Sequence, residues 1–431
     1  MPHGTEYPLP ALKEGMTVMR GTRLSFPIFL LLLLLGPWHA LAADFRFQSS
    51  TQYLWYTDPF KNEDQSDIVQ YFNIGASKID KAGRFSAFGY GRISQQFGSE
   101  TDVLLGDDED ILGRLYFLYV NYSLPKQRGD IRLGRQYVAV GAGAGTIDGI
   151  RVDVRNLGPV VISTFAGYDV RFAETTDDTS SGNYLVGASA GASFFPGNNL
   201  EVSYLWKIDD GDIIREMLGV HADQRILGKA KGYVDWRYDV LHEANSEFLA
   251  GATLFLFPGL ITITGEYFTS YPTFDADTIY TAFAVTEYWE ALGRVDYIVS
   301  DQVTLYGSYT HSDYEGPTAD TGTIGIKASP KRIANLKGYA SVDLRSGYPG
   351  DLTGFRISAN YTYKKTLLAA GLTHDVFQRD SMTDDFTAKK YWAGGSYEFR
   401  KNMTAKLRVE NTVTRQFEDE FQGRASVDIR F

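Results

Sequence analysis

The chain has 431 residues, a formal net charge of −11, six histidines and no cysteine. Without thiols there are no disulfides, cysteine–zinc sites, thiol catalysis or covalently attached c-type haem, and the few histidines leave too little for a histidine-rich metal centre. The acidic balance argues against a nucleic-acid binder, and a mean hydropathy of −0.22 argues against a bundle of membrane helices.

The N-terminus reads as an address. Arg20 and Arg23 precede one apolar run, Leu24 to Leu35, and Ala40-Leu41-Ala42 supplies a small-x-small cleavage site. Basic, apolar and small-residue parts in that order make a secretory signal peptide, and the apolar part is too short to span a bilayer comfortably. Translation starts at Met1, Met16 or Met19. Residues 1–43 are leader and cleaved signal, and residues 44–431 form one domain.

From Asp44 onward the chain alternates with period two, as strands with unlike faces do; 28 tyrosines and 27 phenylalanines against 14 prolines agree with that. Leu200, Val202, Tyr204, Trp206 and Ile208 share one face. So do Val234, Trp236, Tyr238 and Val240, with Lys229, Lys231, Asp235, Arg237 and Asp239 opposite. At the C-terminus Phe421, Gly423, Ala425, Val427, Ile429 and Phe431 alternate with Arg424, Asp428 and Arg430.

The predicted strands are 44–57, 68–79, 84–97, 111–123, 130–140, 147–155, 160–172, 183–195, 199–208, 213–221, 228–240, 246–257, 260–270, 284–298, 302–313, 321–329, 332–345, 353–364, 366–378, 387–399, 402–414 and 421–431. The fold class is all-β, an antiparallel up-and-down transmembrane β-barrel of about 22 strands. Counts of 18–22 fit the boundaries, and no segment is large enough for a plug domain. The segments have the length of tilted membrane strands. Four tryptophans, Trp55, Trp206, Trp236 and Trp289, fall on the apolar face, where an aromatic girdle would sit.

Connections alternate in length. Short ones include Pro125–Gly129, Pro196–Asn198, Pro258-Gly259, Pro330-Lys331 and Arg400-Lys401. Long ones include Asp58–Asp67, Gly98–Asp110, Ala173–Ser181, Tyr271–Phe283, Tyr314–Asp320 and Asp380–Phe386. Short periplasmic turns and longer outer loops are the habit of outer-membrane barrels. The long connections carry acids (Glu63, Asp64, Asp67, Asp107 to Asp110, Asp177, Asp178, Asp384, Asp385, Glu418 to Glu420). The short ones carry bases (Lys126, Arg128, Lys331, Arg332, Lys364, Lys365, Arg400, Lys401).

The polar face is expected to line a pore, because a charge turned to lipid costs about 2–4 kcal/mol at the bilayer midplane for Arg or Lys. Its candidates are Arg84, Arg92, Arg151, Asp153, Arg155, Lys229, Lys231, Asp235, Arg237, Asp239, Glu290, Arg294, Asp296, Lys337, Asp343, Arg345, Lys406, Arg408, Glu410, Arg424, Asp428 and Arg430. Arg135 breaks the pattern, lying in phase with Ile131, Leu133, Tyr137 and Ala139. The expectation is a bulge at Gly134 or a place at an interface. Gly141-Ala-Gly-Ala-Gly145 lacks the Lys-Ser/Thr of a phosphate loop and reads as a tight, flexible turn.

Two stretches carry a resemblance. The terminal Phe431 resembles the assembly signal of bacterial outer-membrane barrels, which implies export to that membrane and contact with its lipid and with the barrel assembly machinery. Leu133-Gly134-Arg135-Gln136 followed by Asp148-Gly149 resembles a stretch of general bacterial porins. The implied function is a porin-like passage for passive diffusion of small solutes or ions.

No loop looks long enough to fold into the lumen, and wide barrels are usually filled. The alternative is therefore a barrel resembling the porin-like subunits of trans-outer-membrane electron conduits. It would sheathe a multi-haem c-type cytochrome between periplasmic and surface partners, the haem belonging wholly to the partner. An enzyme is not expected. His311-Ser312 and His374-Asp375 are adjacent strand residues pointing to opposite faces, so neither forms a dyad. Asp107–Asp110 and Asp209-Asp210-Gly211-Asp212 lack the spacing of a calcium loop, so no metal is expected.

Overall fold

The computed structural model describes residues 43–58, 63–97, 111–172, 177–257, 259–275, 286–333, 335–378, 386–415 and 420–431. The signal segment lies outside these, as do Gly98–Asp110 and the acids Asp384, Asp385, Glu418 and Asp419.

Twenty-two strands are observed. They are β1 (Asp44–Asp58), β2 (Glu63–Ser77), β3 (Phe85–Phe97), β4 (Ile111–Ser123), β5 (Gly129–Val140), β6 (Gly143–Leu157), β7 (Val160–Phe172), β8 (Asp177–Ala192), β9 (Asn198–Asp209), β10 (Asp212–Ile226) and β11 (Ala230–Asp239). Then come β12 (Ala244–Leu256), β13 (Ile261–Ser270), β14 (Tyr288–Ser300), β15 (Val303–Asp313), β16 (Thr318–Ala328), β17 (Leu336–Gly347), β18 (Asp351–Tyr363), β19 (Thr366–Gln378), β20 (Phe386–Arg400), β21 (Met403–Val413) and β22 (Glu420–Arg430).

Each strand pairs antiparallel with its sequence neighbours, and β1 pairs with β22 from Gln48↔Arg430 to Tyr56↔Gln422. Phe431 completes that seam by exchanging two backbone hydrogen bonds with Phe47. The sheet is therefore a closed barrel, the one β-architecture that leaves no strand edge to satisfy in lipid. The lower end holds Asp44 and Phe431; the upper end is where β1 turns into β2.

Cross-strand partners share a face, so the register sorts the side chains. One face carries the charges. The other carries Leu118, Leu133 and Ile324, which are 56%, 63% and 75% exposed, and it is the face suited to lipid.

The strands depart from expectation at the upper end. β2 begins at Glu63, β8 at Asp177 and β16 at Thr318, so Glu63, Asp64, Asp67, Asp177 and Asp178 lie in strands rather than loops. Apolar alternation stops where both faces meet water, but backbone pairing continues beyond it. Nor are upper connections uniformly long. Gly141-Ala142 and Asp210-Gly211 are two-residue links, the latter with φ of 48° and 94°, as tight hairpins require.

Candidate channel interior

Register places nearly all the predicted lumenal charges on one face. Arg408, Arg424, Glu410, Lys406 and Asp428 interlock on β21 and β22, with Arg430 in phase. Arg92 shares their face through Tyr71 and Ser50. Arg151 and Asp153 sit on β6, and Arg155 holds Asp130 at 2.7 Å. Lys231, Asp235, Arg237 and Asp239 line β11; Glu290, Arg294 and Asp296 line β14; Lys337, Asp343 and Arg345 line β17.

Arg84 and Lys229 stand in the links before β3 and β11 rather than inside strands. Three of the candidates are buried, among them Asp343, which is 8% exposed and accepts a hydrogen bond from Thr323 at 2.7 Å. Asp239 is fully buried and accepts hydrogen bonds from the His242 backbone and side chain. Asp153 is 4% exposed, held by Arg151 and Ser163. Neutralised pairs recur elsewhere: Arg294 grips Asp296 with two bonds of 2.7 and 2.8 Å, and Lys406 meets Asp428 at 2.6 Å.

The girdle residues Trp55, Trp206, Trp236 and Trp289 lie on the opposite face, with Tyr53, Tyr204, Tyr238 and Tyr267 against them. Trp392 is lumenal instead, with the Arg408 guanidinium 4.5 Å from its ring centroid.

The main feature that sequence reasoning missed is the top of the β5–β6 hairpin. β5 pairs with β4 only as far as Arg135↔Leu118, and β6 pairs with β7 only up to Ile147↔Asp169, while β5 and β6 stay paired to the tip. Above that level the hairpin leaves the wall and lies on the charged inner face of β7–β11. There Gly141 N–H donates to Glu201 (2.8 Å), Ala142 N–H donates to Ser203 (2.7 Å), and Arg237 Nε donates to the Gly141 carbonyl (3.0 Å).

Val138, Ala142 and Ile147 pack with Phe165, Leu185, Leu205 and Met217 into one cluster, each at most 3% exposed. About 3.3 Å per residue carries the tip roughly 23 Å beyond Gly134, enough to cross the roughly 19 Å between β7 and β11. At the crease, Gly134, Gly149 and Gly167 are successive cross-strand partners. A β-carbon on Gly149 would stand 2.1 Å from the Ala166 carbonyl oxygen, so only glycine lets the strands approach there.

This decides between the two alternatives for Arg135, an interface rather than a bulge, and corrects the flexibility expected of the glycine stretch. Gly134 marks no bulge, because register is unbroken on both sides of it. Arg135 lies at the crotch where the hairpin departs, gripping Asp148 with two bonds of 2.8 Å and donating to the Leu115 carbonyl. Gly141-Ala142 is the expected tight turn, but it is docked rather than flexible, and Gly143–Gly145 belong to β6. Two signals were legible: apolar residues on both phases from Tyr137 to Val140, and Ile147, Phe165, Leu185, Leu205 and Met217 on otherwise polar phases.

A second element enters as well. After β13 the chain Tyr271–Asp275 crosses toward β9 and β10, where Asp275 meets Lys207 at 2.6 Å and Arg215 at 3.1 Å, and Arg215 also donates to the Thr273 carbonyl. Burial pushes the Asp275 carboxyl up, but Lys207 and Arg215 outweigh it and hold the group below its ordinary value of 3.8. The expectation that no segment folds in is therefore wrong, and an unfilled lumen no longer argues for a cytochrome within. The concave inner surface at the β22–β3 seam, about 660 Å³ and lined by Ser50, Tyr71, Tyr90, Arg424, Asp428 and Arg430 among others, lies away from both insertions.

The pairs weighed for catalysis separate as alternation requires. Ser312 donates inward to Glu290, while His311 meets Asp320 on the outer face. Asp209 is engaged by Arg171 at 3.3 Å.

No protein-family model matches the chain, and no curated protein matches it. Among solved structures it is similar to the P pilus usher (PapC) translocation pore, with 9% identity, 89% of this chain and 99% of that one covered, and a TM-score of 0.50. The chain folds as a closed 22-stranded antiparallel β-barrel. It is similar also to a BenF-like porin from Pseudomonas fluorescens Pf-5 (11% identity, 90% and 98% covered, TM-score 0.48). A third is OpdK from Pseudomonas aeruginosa, solved with vanillate (11% identity, 90% and 98% covered, TM-score 0.43). At these identities the likeness is one of fold.

Proposed function

We propose that the protein is an outer-membrane channel for passive passage of small polar solutes, and not an enzyme. The observation that carries this reading is the closed barrel with an apolar exterior and a mixed-charge interior, narrowed on one side by its own hairpin and strap. Water can wet the charged face, and charges of both signs along it keep hydrated solutes from meeting an apolar barrier. With short turns below and both barrel termini there, the lower end is periplasmic and the upper end external. With charges of both signs along its described face, the interior selects by size and field.

Purified barrel in planar bilayers should give discrete, ohmic conductance steps, and liposomes carrying it should swell in arabinose. A barrel that inserts but gives neither result would refute the channel reading.

A further inference from the structure

Much of the inner wall satisfies its polar groups internally: Arg294 grips Asp296, Arg408 holds Glu410 at 3.1 Å, and Tyr306 donates to Tyr339 at 2.5 Å. The concave surface spanning β22, β1, β2 and β3 does not. Among the described residues, Gln48, Tyr71, Asn73, Tyr90, Arg424 and Arg430 line that cavity, and their side chains make neither a hydrogen bond nor an ion pair. Its volume, about 660 Å³, falls within the roughly 300–1,000 Å³ of small-molecule sites.

Register sets these groups on adjoining rungs. Arg430, Gln48, Asn73 and Tyr90 are successive cross-strand partners, and Asp428, Ser50 and Tyr71 form the next rung up. Arg424 lies two rungs higher, opposite Leu54. Tyr71 stacks on Tyr90 (6.2 Å, 14°) and Tyr90 on Tyr116 (5.0 Å, 22°), so the rings form one stiff apolar strip beside the polar groups.

The chemistry of the lining decides what it fits. Carboxamides and guanidinia donate, carboxamide oxygens and the Asp428 carboxylate accept, and phenols do both. Asp428 is met by Lys406 and by the Ser50 hydroxyl, each at 2.6 Å, and a carboxylate has acceptor sites beyond two. A simple anion would use the donors alone and would face that carboxylate. A hydroxyl both donates and accepts, so a compact ring carrying several hydroxyls is the complement: its hydroxyls meet the mixed wall, and its C–H face lies on the tyrosine strip.

We propose that this surface is a saturable subsite for a neutral aldohexose in its pyranose form, bound as it passes through the lumen. The inference deepens the channel reading above and rests on it.

The test is the current through single barrels of the full chain in planar bilayers, titrated with glucose. Glucose should reduce the unitary current along a saturating curve, whereas sorbitol, of like size but open-chain, should reduce it only in proportion to its concentration. Asn73→Ala should raise the half-blocking glucose concentration at least five-fold; where that variant fails to insert, Gln48→Ala on the neighbouring strand carries the same expectation. Current that falls equally and without saturation in both polyols, or a half-block that neither variant moves, would overturn the subsite and leave the channel standing. Benzoate blocking at lower concentration than glucose would overturn it too, making the surface an anion site. Absence of any current steps would instead overturn the channel reading and the subsite with it.

Discussion

Val138→Asp tests whether the hairpin is held inside the barrel by apolar packing. Val138 is fully buried between the hairpin and the inner wall, and burying a side chain of that size contributes about 1.5–3 kcal/mol. The substitution forfeits that and places a carboxylate against Phe165, Leu185 and Leu205, which costs several kcal/mol more unless the group is paired. The packed side of the tip gains roughly 5–8 kcal/mol from Val138, Val140 and Ile147 together, before the entropy of docking is subtracted. One buried charge therefore suffices to undock it.

The wall pairings of β5 and β6 below Gly134 are untouched, so the barrel itself should still assemble. Tyr137→Asp, one residue away on the opposite and 60% exposed side, is the control and should leave docking intact. The assay is labelling of Ala142→Cys by a membrane-impermeant maleimide. The site is 2% exposed when docked, so it should be protected in the parent and in the Tyr137→Asp background and become reactive in Val138→Asp, with a larger and noisier conductance. Protection persisting in Val138→Asp at unchanged conductance would refute the packing account.

Other outcomes follow from the same geometry. The Asp275 carboxyl lies below its ordinary value of 3.8, so its grip on Lys207 and Arg215 is complete above that pH and is lost only as pH falls through the lower folded value. The difference in conductance between the parent and Asp275→Asn should therefore persist from neutrality to about pH 5 and vanish only in stronger acid; a difference already lost near pH 6 would contradict this. Val234→Arg turns a cation to lipid at a cost of about 2–4 kcal/mol near the midplane and should impair assembly, read as loss of the heat-modifiable band. Arg237→Ala should assemble normally and lose only the Gly141 and Glu247 contacts; equal tolerance of both would reverse the inside–outside assignment. Barrel purified in mild detergent from its native membrane should show no Soret absorption, and a stoichiometric Soret band would restore the cytochrome-sheath reading.

Much of this architecture was legible in the residues themselves. A lipid-facing side chain and a lumenal one alternate along every strand, so the period-two pattern located nearly every strand and separated Trp236 and Val234 from Arg237 and Asp235. Strand ends were less legible. Beyond the bilayer both faces are wet, and Glu63 or Asp177 carries no trace in sequence of the ladder it belongs to.

The hairpin's fate was a different kind of question. Val138 and Ile147 are apolar on the phase of Arg132 and Arg151, which marks an apolar stretch facing inward, but nothing local says what it packs against. The partners that decide it, Glu201, Ser203 and Arg237, stand 60 to 96 residues away in the chain and become neighbours only when the barrel closes. What alternation determined was the strands and their apolar and charged faces; closure into a barrel came with the β1–β22 pairing. That part of the wall folds into the lumen was decided by tertiary contact alone.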